Sequence, residues 1–408
     1  MKSGRIDKIR SWGSAGLLFA GLLLYFAFAE FSVRLNSDGP VGSNLKFVPA
    51  GVLTEEEMAS AKKFAKDLKT VGKRFRGVPN TLVYRYLPAK TDSFTLNSTG
   101  FRGEELQKKK KGEFRIGMLG DSRVLGAYLK TEATIPCIVE QRLKELMPEK
   151  HITVLNLGFE AYDLSREIAF AELYYARLDV DMFVFVYSVN DINFSYMAGD
   201  FEMTPFKDDS PFSEVVFRLR GDDWLSRFSE FWVDNFYIAD VVKKSFDLDM
   251  TQTNLRKGAE EKPLDPVRAA YSEKFAGKLI AKMARTADYL NNEKKIKTLF
   301  FLAPLVEYKK HHSRFESKLS FFYNNEKPGY REYVHRCVDP LVNEAKKESL
   351  PFVFISQMDI FDDYDDTLFW DYIHYTPKGS RIVALDIAKH LYNFLSDEEA
   401  ADKSEKSR

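Results

Sequence analysis

The chain has 408 residues, with 60 Lys and Arg against 60 Asp and Glu, so its formal net charge is zero. That balance removes the basic footprint of a dedicated nucleic-acid binder, and 45% hydrophobic with 14% aromatic residues excludes a disordered chain. Two cysteines, Cys137 and Cys337, are too few for a disulfide framework and lack zinc-ligand spacing. A single bridge between them stays open beside the reading as two unrelated buried thiols.

Lys2, Arg5, Lys8 and Arg10 precede an uncharged run from Ser11 to Ala29. About 19 residues at 1.5 Å rise reach roughly 28 Å, the thickness of a bilayer's hydrocarbon core. Residues 1–31 are therefore expected to be a single-pass membrane anchor, with the N-terminus cytoplasmic and the body extracytoplasmic, in the periplasm. Ala27-Phe28-Ala29 also fits a small-x-small cleavage site, so a removed signal peptide is the alternative. The length of the apolar run and the flank of Glu30 and Arg34 speak against cleavage. No Cys lies near the boundary, which leaves a lipid-modified lipoprotein without support.

Residues 32–112 read as an extension and linker. Met58, Phe64, Leu68 and Val71 are spaced as on an amphipathic helix over Thr54–Lys73. Leu82–Ser98 reads as short, Pro-interrupted strands, and Lys108–Lys111 as a solvated loop. From residue 113 to 395 strand-like and helix-like patterns alternate. Strands are predicted at Phe114–Leu119, Ile152–Leu157, Met182–Tyr187, Lys297–Leu302 and Pro351–Ile355. Helices are predicted at Val124–Leu146, Ser165–Ala176, Pro266–Leu290, Glu332–Lys347 and Pro377–Leu395. Continuous apolar strands separated by helices indicate a parallel sheet covered on both faces, a three-layer α/β/α sandwich of flavodoxin-like type. An aromatic-rich insertion at about 193–263, with Trp224, Phe228, Phe231 and Trp232, interrupts the rhythm. It reads as a small packed core of its own, with a lid over an acyl cleft or a membrane-resting surface as sharper alternatives. Residues 396–408 read as a charged, disordered tail.

In an open parallel sheet ligands bind outside the carboxyl ends of the strands, where this sequence places its reactive side chains. The first strand runs into Gly120-Asp121-Ser122, with the serine at the helix start. The second ends in Asn156-Leu157-Gly158, and the third in Ser188-Val189-Asn190-Asp191. Asp371-Tyr372-Ile373-His374 precedes the last helix, with Thr376 as N-cap and Pro377 as its first residue. Each fragment alone is an ordinary turn or cap. Four of them on successive strand ends converge on one crevice.

With those blocks in that order, the chain from about Asn97 to Leu395 resembles an SGNH (GDSL-type) hydrolase. Asn97-Ser98-Thr99-Gly100-Phe101-Arg102-Gly103 is similar to a segment common in membrane-anchored bacterial members. The resemblance implies Ser122 as nucleophile, His374 as general base and Asp371 as the group orienting the imidazole. It also implies an oxyanion hole from the Ser122 and Gly158 N–H groups and the Asn190 amide, with no cofactor and no metal. Three positions depart from the pattern: Arg123 stands in place of Leu, Ser188 in place of Gly, and Glu160-Ala161 in place of a frequent second glycine. The implied activity is a membrane-anchored serine esterase acting on an ester-bearing carbohydrate or lipid through an acyl-Ser122 intermediate. An O-acyltransferase for envelope polysaccharide and a catalytically inactive binding protein of the same fold are the alternatives. His311-His312, the His335 and Cys337 pair, and the Asp362–Asp366 patch read as structural rather than as metal or second nucleophile sites.

Overall fold

The computed structural model describes residues 53–71, 75–77, 84–187, 189–198, 263–317, 319, 329–347 and 350–406. The anchor expected over 1–31, Ser188 and the insertion from 199 to 262 lie outside them. Among the described residues no helix is long and apolar enough to cross a membrane.

Five strands, β1 (Glu113–Gly120), β2 (His151–Gly158), β3 (Met182–Tyr187), β4 (Lys297–Leu302) and β5 (Val353–Ser356), form an all-parallel sheet ordered β2-β1-β3-β4-β5. Every residue of β3 is buried, as its unbroken run Met-Phe-Val-Phe-Val-Tyr requires of a central strand covered on two faces. Helices that accompany the sheet among the described residues include α1 (Glu55–Val71), α2 (Ser122–Leu125), α3 (Ile135–Leu146), α4 (Leu164–Leu178), α5 (Val189–Ala198), α6 (Pro266–Ala287), α7 (Tyr330–Ala345) and α8 (Pro377–Lys406). Right-handed crossovers place α3 and α8 on one face, where they pack together, and α4, α6 and α7 on the other, where α6 packs on α7. The strand order reverses between β1 and β3, so the ends of β1, β2 and β3 border a switch-point crevice. Gly120, at the end of β1, is in register with Gly158 on one side and Val186 on the other.

Two elements differ from the sequence expectation. The helix predicted over Val124–Leu146 is broken: α2 stops after four residues at Gly126, whose φ of 78° is left-handed, and α3 restarts with Pro136 in its first turn. The last helix does not end at Leu395 but continues to Lys406 through the charged segment. The start of the insertion is helical too, since α5 runs to Ala198. Both cysteines are free, Cys337 buried and Cys137 half-buried.

The Asn97–Gly103 segment has a mechanical role. Asn97 Oδ1 accepts the N–H groups of Thr99 and Phe101, which closes the loop and aims Arg102 inward. The buried Arg102 guanidinium donates to the carbonyls of Leu125, Gly126 and Leu129, at the end of α2 and in the turn that follows it. Phe64 of α1 and Phe94 lie against the same guanidinium, at 5.0 and 5.6 Å from their ring centres. Arg102→Met should destabilise the protein by about 3 kcal/mol or more, because three buried carbonyls lose charge-assisted bonds. Chemical denaturation checks this, and a loss below about 1 kcal/mol would contradict the assignment.

Candidate active site

Ser122 is positioned by its neighbours on each side. Gly120 allows the sharp exit from β1, since a Cβ there would sit 2.2 Å from Val124 Cγ2. Asp121 caps α2 through its carboxylate, which accepts the Arg123 N–H at 2.8 Å. With only four residues, α2 offers Ser122 a local N–H rather than a macrodipole.

Arg123 closes the far side. Its fully buried guanidinium donates to Asp121 Oδ2 at 2.6 Å and to the Tyr375 hydroxyl at 3.3 Å, and that hydroxyl donates to the Pro304 carbonyl. Burial disfavours the guanidinium charge, but Asp121 outweighs it and the group stays cationic. Arg123 thus ties the neighbour of Ser122 to the neighbour of His374.

Asp371 and His374 meet because their loop folds back on itself. Trp370 N–H donates to the His374 carbonyl, Thr376 N–H donates to the Leu368 carbonyl, and Phe369 bridges Tyr375 in antiparallel fashion. At the tip, Asp371 Oδ1 accepts the N–H groups of both Ile373 and His374 at 2.7 Å. Its other oxygen, Oδ2, lies 2.7 Å from His374 Nδ1. The loop is held from below by a fully buried ion pair, Lys309–Glu316. Glu316 accepts the N–H groups of Leu368 and Phe369, and Lys309 donates to the Asp366 carbonyl.

His374 Nε2 lies 2.9 Å from Ser122 Oγ. The carboxylate only accepts, so Nδ1 carries the ring proton and Nε2 is the acceptor for the serine hydroxyl. Burial lowers the imidazole pKa, but the charge and hydrogen bond of Asp371 outweigh it and the net shift is upward. Burial likewise raises the Asp371 carboxyl, and His374 with the two loop N–H groups brings it below the usual range. Ser122 is therefore brought together with Asp371 and His374, which lie far from it in sequence.

The two remaining expected donors are placed differently. The Gly158 N–H donates to Asn156 Oδ1 at 3.1 Å, and its missing side chain has a steric use, since a Cβ would lie 2.1 Å from Leu125 N. Asn190, on α5, donates to the Tyr162 carbonyl at 2.8 Å and stands 3.5 Å from Asp121 Oδ2. Sequence reasoning missed Ala161. Its φ of 57° is the left-handed region that a glycine normally occupies. Among the described residues its N–H has no acceptor, and neither has that of Ser122. The turn is pinned by buried Arg166, which donates to the Ala161 carbonyl at 3.1 Å and to Asp163 at 2.8 Å. The signal was present in the Glu160-Ala161 departure, because a residue replacing glycine keeps the backbone position while losing the conformational freedom.

Behind the crevice lie Asp163, Glu167 and Asp191, with the Tyr187 hydroxyl. Among the described residues neither Glu167 oxygen has a hydrogen-bond partner, and burial with the neighbouring carboxylates pushes its pKa well up. Asp191 is raised for the same reasons, although it accepts the Leu164 N–H. No group of acidic, histidine or cysteine side chains among the described residues has metal-site geometry. His312 bonds the Val306 carbonyl, His335 faces Tyr308 and Asp339, and Asp366 pairs with Lys378.

No family model and no curated protein matches the chain. Similar solved structures include an alpha/beta hydrolase enzyme from the metagenome of Lake Arreo, Spain, 12% identical over 67% of this chain and 94% of that chain, with a TM-score of 0.32. A catalytic mutant of an acetylxylan esterase from Geobacillus stearothermophilus is 12% identical over 68% of this chain and 93% of that chain, TM-score 0.32. A two-domain esterase active on acetylated mannans is 15% identical over 69% of this chain and half of its own, TM-score 0.32. Likeness this distant carries nothing about activity, which rests on the side chains themselves.

Two outcomes are expected. His374 should titrate above its ordinary value near 6.5 by NMR, and Asp371→Asn should lower it, because removing the carboxylate leaves burial unopposed. Glu167 has a folded pKa above its unfolded one, so the native state binds the extra proton and stability falls as pH rises past the carboxylate range. Glu167→Gln should flatten that fall in denaturation midpoints measured from pH 5 to 8.

Proposed function

We propose that the protein is an SGNH-type serine esterase in which Ser122 attacks a carboxylic ester, His374 takes its proton and Asp371 holds the imidazole. The observation that carries this reading is the continuous chain of two short contacts, Ser122 Oγ to His374 Nε2 at 2.9 Å and His374 Nδ1 to Asp371 at 2.7 Å. A serine hydroxyl becomes nucleophilic when a base accepts its proton, and this geometry supplies the base and its orienting group.

The oxyanion formed on attack needs donors already in place. The N–H groups of Ser122 and Ala161, unengaged among the described residues, suit that role, whereas the Asn190 amide already donates to the Tyr162 carbonyl and to Asp121 and would have to release one of them to join. Gly158, whose N–H bonds Asn156, is assigned instead to the close packing of β2 on α2. The imidazolium then protonates the departing alcohol, and water enters to release the acyl group from Ser122. A sugar hydroxyl entering in place of water would make the same site an acyltransferase. The apolar run within 1–31 supports a retained anchor, with this site on the extracytoplasmic side.

A fluorophosphonate probe should label Ser122, and Ser122→Ala should abolish labelling and lower p-nitrophenyl acetate hydrolysis by about 1000-fold or more. Labelling that persists in Ser122→Ala would overturn the assignment. kcat/KM should fall as pH drops through the His374 pKa, because the protonated ring no longer accepts the serine proton. In Asp371→Asn that acid limb should move to lower pH while the rate drops by about 1000- to 10,000-fold.

A further inference from the structure

In the reaction proposed above the imidazole serves two steps, and the contacts around it differ between them. During acylation His374 is held from both ends, by Asp371 at Nδ1 and by the Ser122 hydroxyl at Nε2. Once the acyl group sits on Ser122, Oγ is an ester oxygen and its proton has left with the alcohol. Nε2 must then take a proton from water, while only Asp371 still bonds the ring. Further restraint on the ring at that stage has to come from packing.

Tyr128 supplies that packing. Its ring meets His374 edge-on, with centroids 5.2 Å apart at 90°, and meets Trp370 in the same way at 5.2 Å and 89°. Trp370 N–H donates to the His374 carbonyl, so one ring braces both members of that backbone pair. A further ring, Phe64 of α1, lies 6.0 Å from Tyr128 and is itself buried against Phe94 at 4.8 Å.

The backbone is strained to put the ring there. Leu129 N–H donates to the Gly126 carbonyl at 3.0 Å, closing a four-residue turn with Tyr128 in third place. Its φ of 66° is left-handed, a conformation that glycine adopts freely and a bulky side chain avoids. A glycine would make the same turn without strain, but it would leave His374 unbraced. Arg102 donates to the carbonyls of Gly126 and Leu129, the first and last residues of the turn, which fixes the outlier from both sides.

We propose that Tyr128 is a positioning residue for the general base, keeping the His374 ring in place during deacylation, when Ser122 no longer bonds it. The proposal rests on the serine-esterase reading and adds to it a residue that acts through His374 rather than on the ester. In that step Nε2 takes a proton from water as the water oxygen bonds to the acyl carbon. The bond from that carbon to Ser122 Oγ then breaks, Oγ recovers the proton from the imidazolium, and the carboxylic acid leaves.

Stopped-flow hydrolysis of p-nitrophenyl acetate by the full chain separates the two steps. The burst of nitrophenolate reads acylation and the steady rate reads deacylation, each divided by the sites that the fluorophosphonate probe labels. Tyr128→Gly suits the turn and removes only the ring. It should lower the deacylation rate constant about 100-fold and the acylation rate constant about tenfold or less. Tyr128→Phe keeps the ring and should stay within about threefold of wild type in both steps. Phe64→Leu leaves Tyr128 without its backing ring and should show the same imbalance at smaller size, which covers a failure of Tyr128→Gly to fold. Equal falls of the two rate constants in Tyr128→Gly and Phe64→Leu overturn the positioning role. So does a loss in Tyr128→Phe as large as in Tyr128→Gly. In either case an active, labelled wild type leaves the esterase reading standing. A wild type with neither label nor turnover overturns the esterase reading and the positioning role with it.

Discussion

A hydrogen bond between Ser122 and His374 joins side chains 252 positions apart, and most of what surrounds it keeps those two atoms in reach. Either loop could drift by an ångström at little cost if left to itself. On the serine side, Asp121 caps α2 and Arg102 holds the carbonyls at its end. On the histidine side, Asp371 organises the tip and Glu316 grips the backbone beneath it. Arg123 and Tyr375 then connect the two halves directly. The bond is weak in isolation and is maintained by restraint on both partners.

Charge is handled by the same logic. The buried cations Arg102, Arg115, Arg123 and Arg166 each face carbonyls, carboxylates or both, which is the condition under which burial of a guanidinium is tolerated. Asp371 stays ionised because it faces an imidazole and two N–H groups. Glu167 has no such partners and is driven toward its neutral form. Carboxylates of similar intrinsic acidity in and behind one crevice thereby have their pKa values moved in opposite directions.

Much of this was readable in the residues. The bounds of β3 and β4 match the structure end to end, and the unbroken apolar run of β3 is what burial on both faces requires. The Ser122, Asp371 and His374 positions were legible because each lies at a strand end or helix start with a turn residue beside it. The break after α2 was not: Gly126 looks tolerable inside an apolar-periodic stretch, and only the left-handed φ and the Arg102 bonds show why the chain stops there. The packing use of Gly158 was hidden for a related reason, since glycine marks both tight packing and donor exposure, and sequence does not separate them.

The Lys309–Glu316 pair has a bearing on heat. The cost of stripping water from ions falls as temperature rises, whereas hydrophobic stabilisation levels off. A loop anchored by a sealed ion pair therefore does not become the weak part of the molecule on warming. Loss of the histidine arrangement should coincide with melting of the sheet as a whole, so that thermal inactivation and global unfolding proceed as one cooperative event.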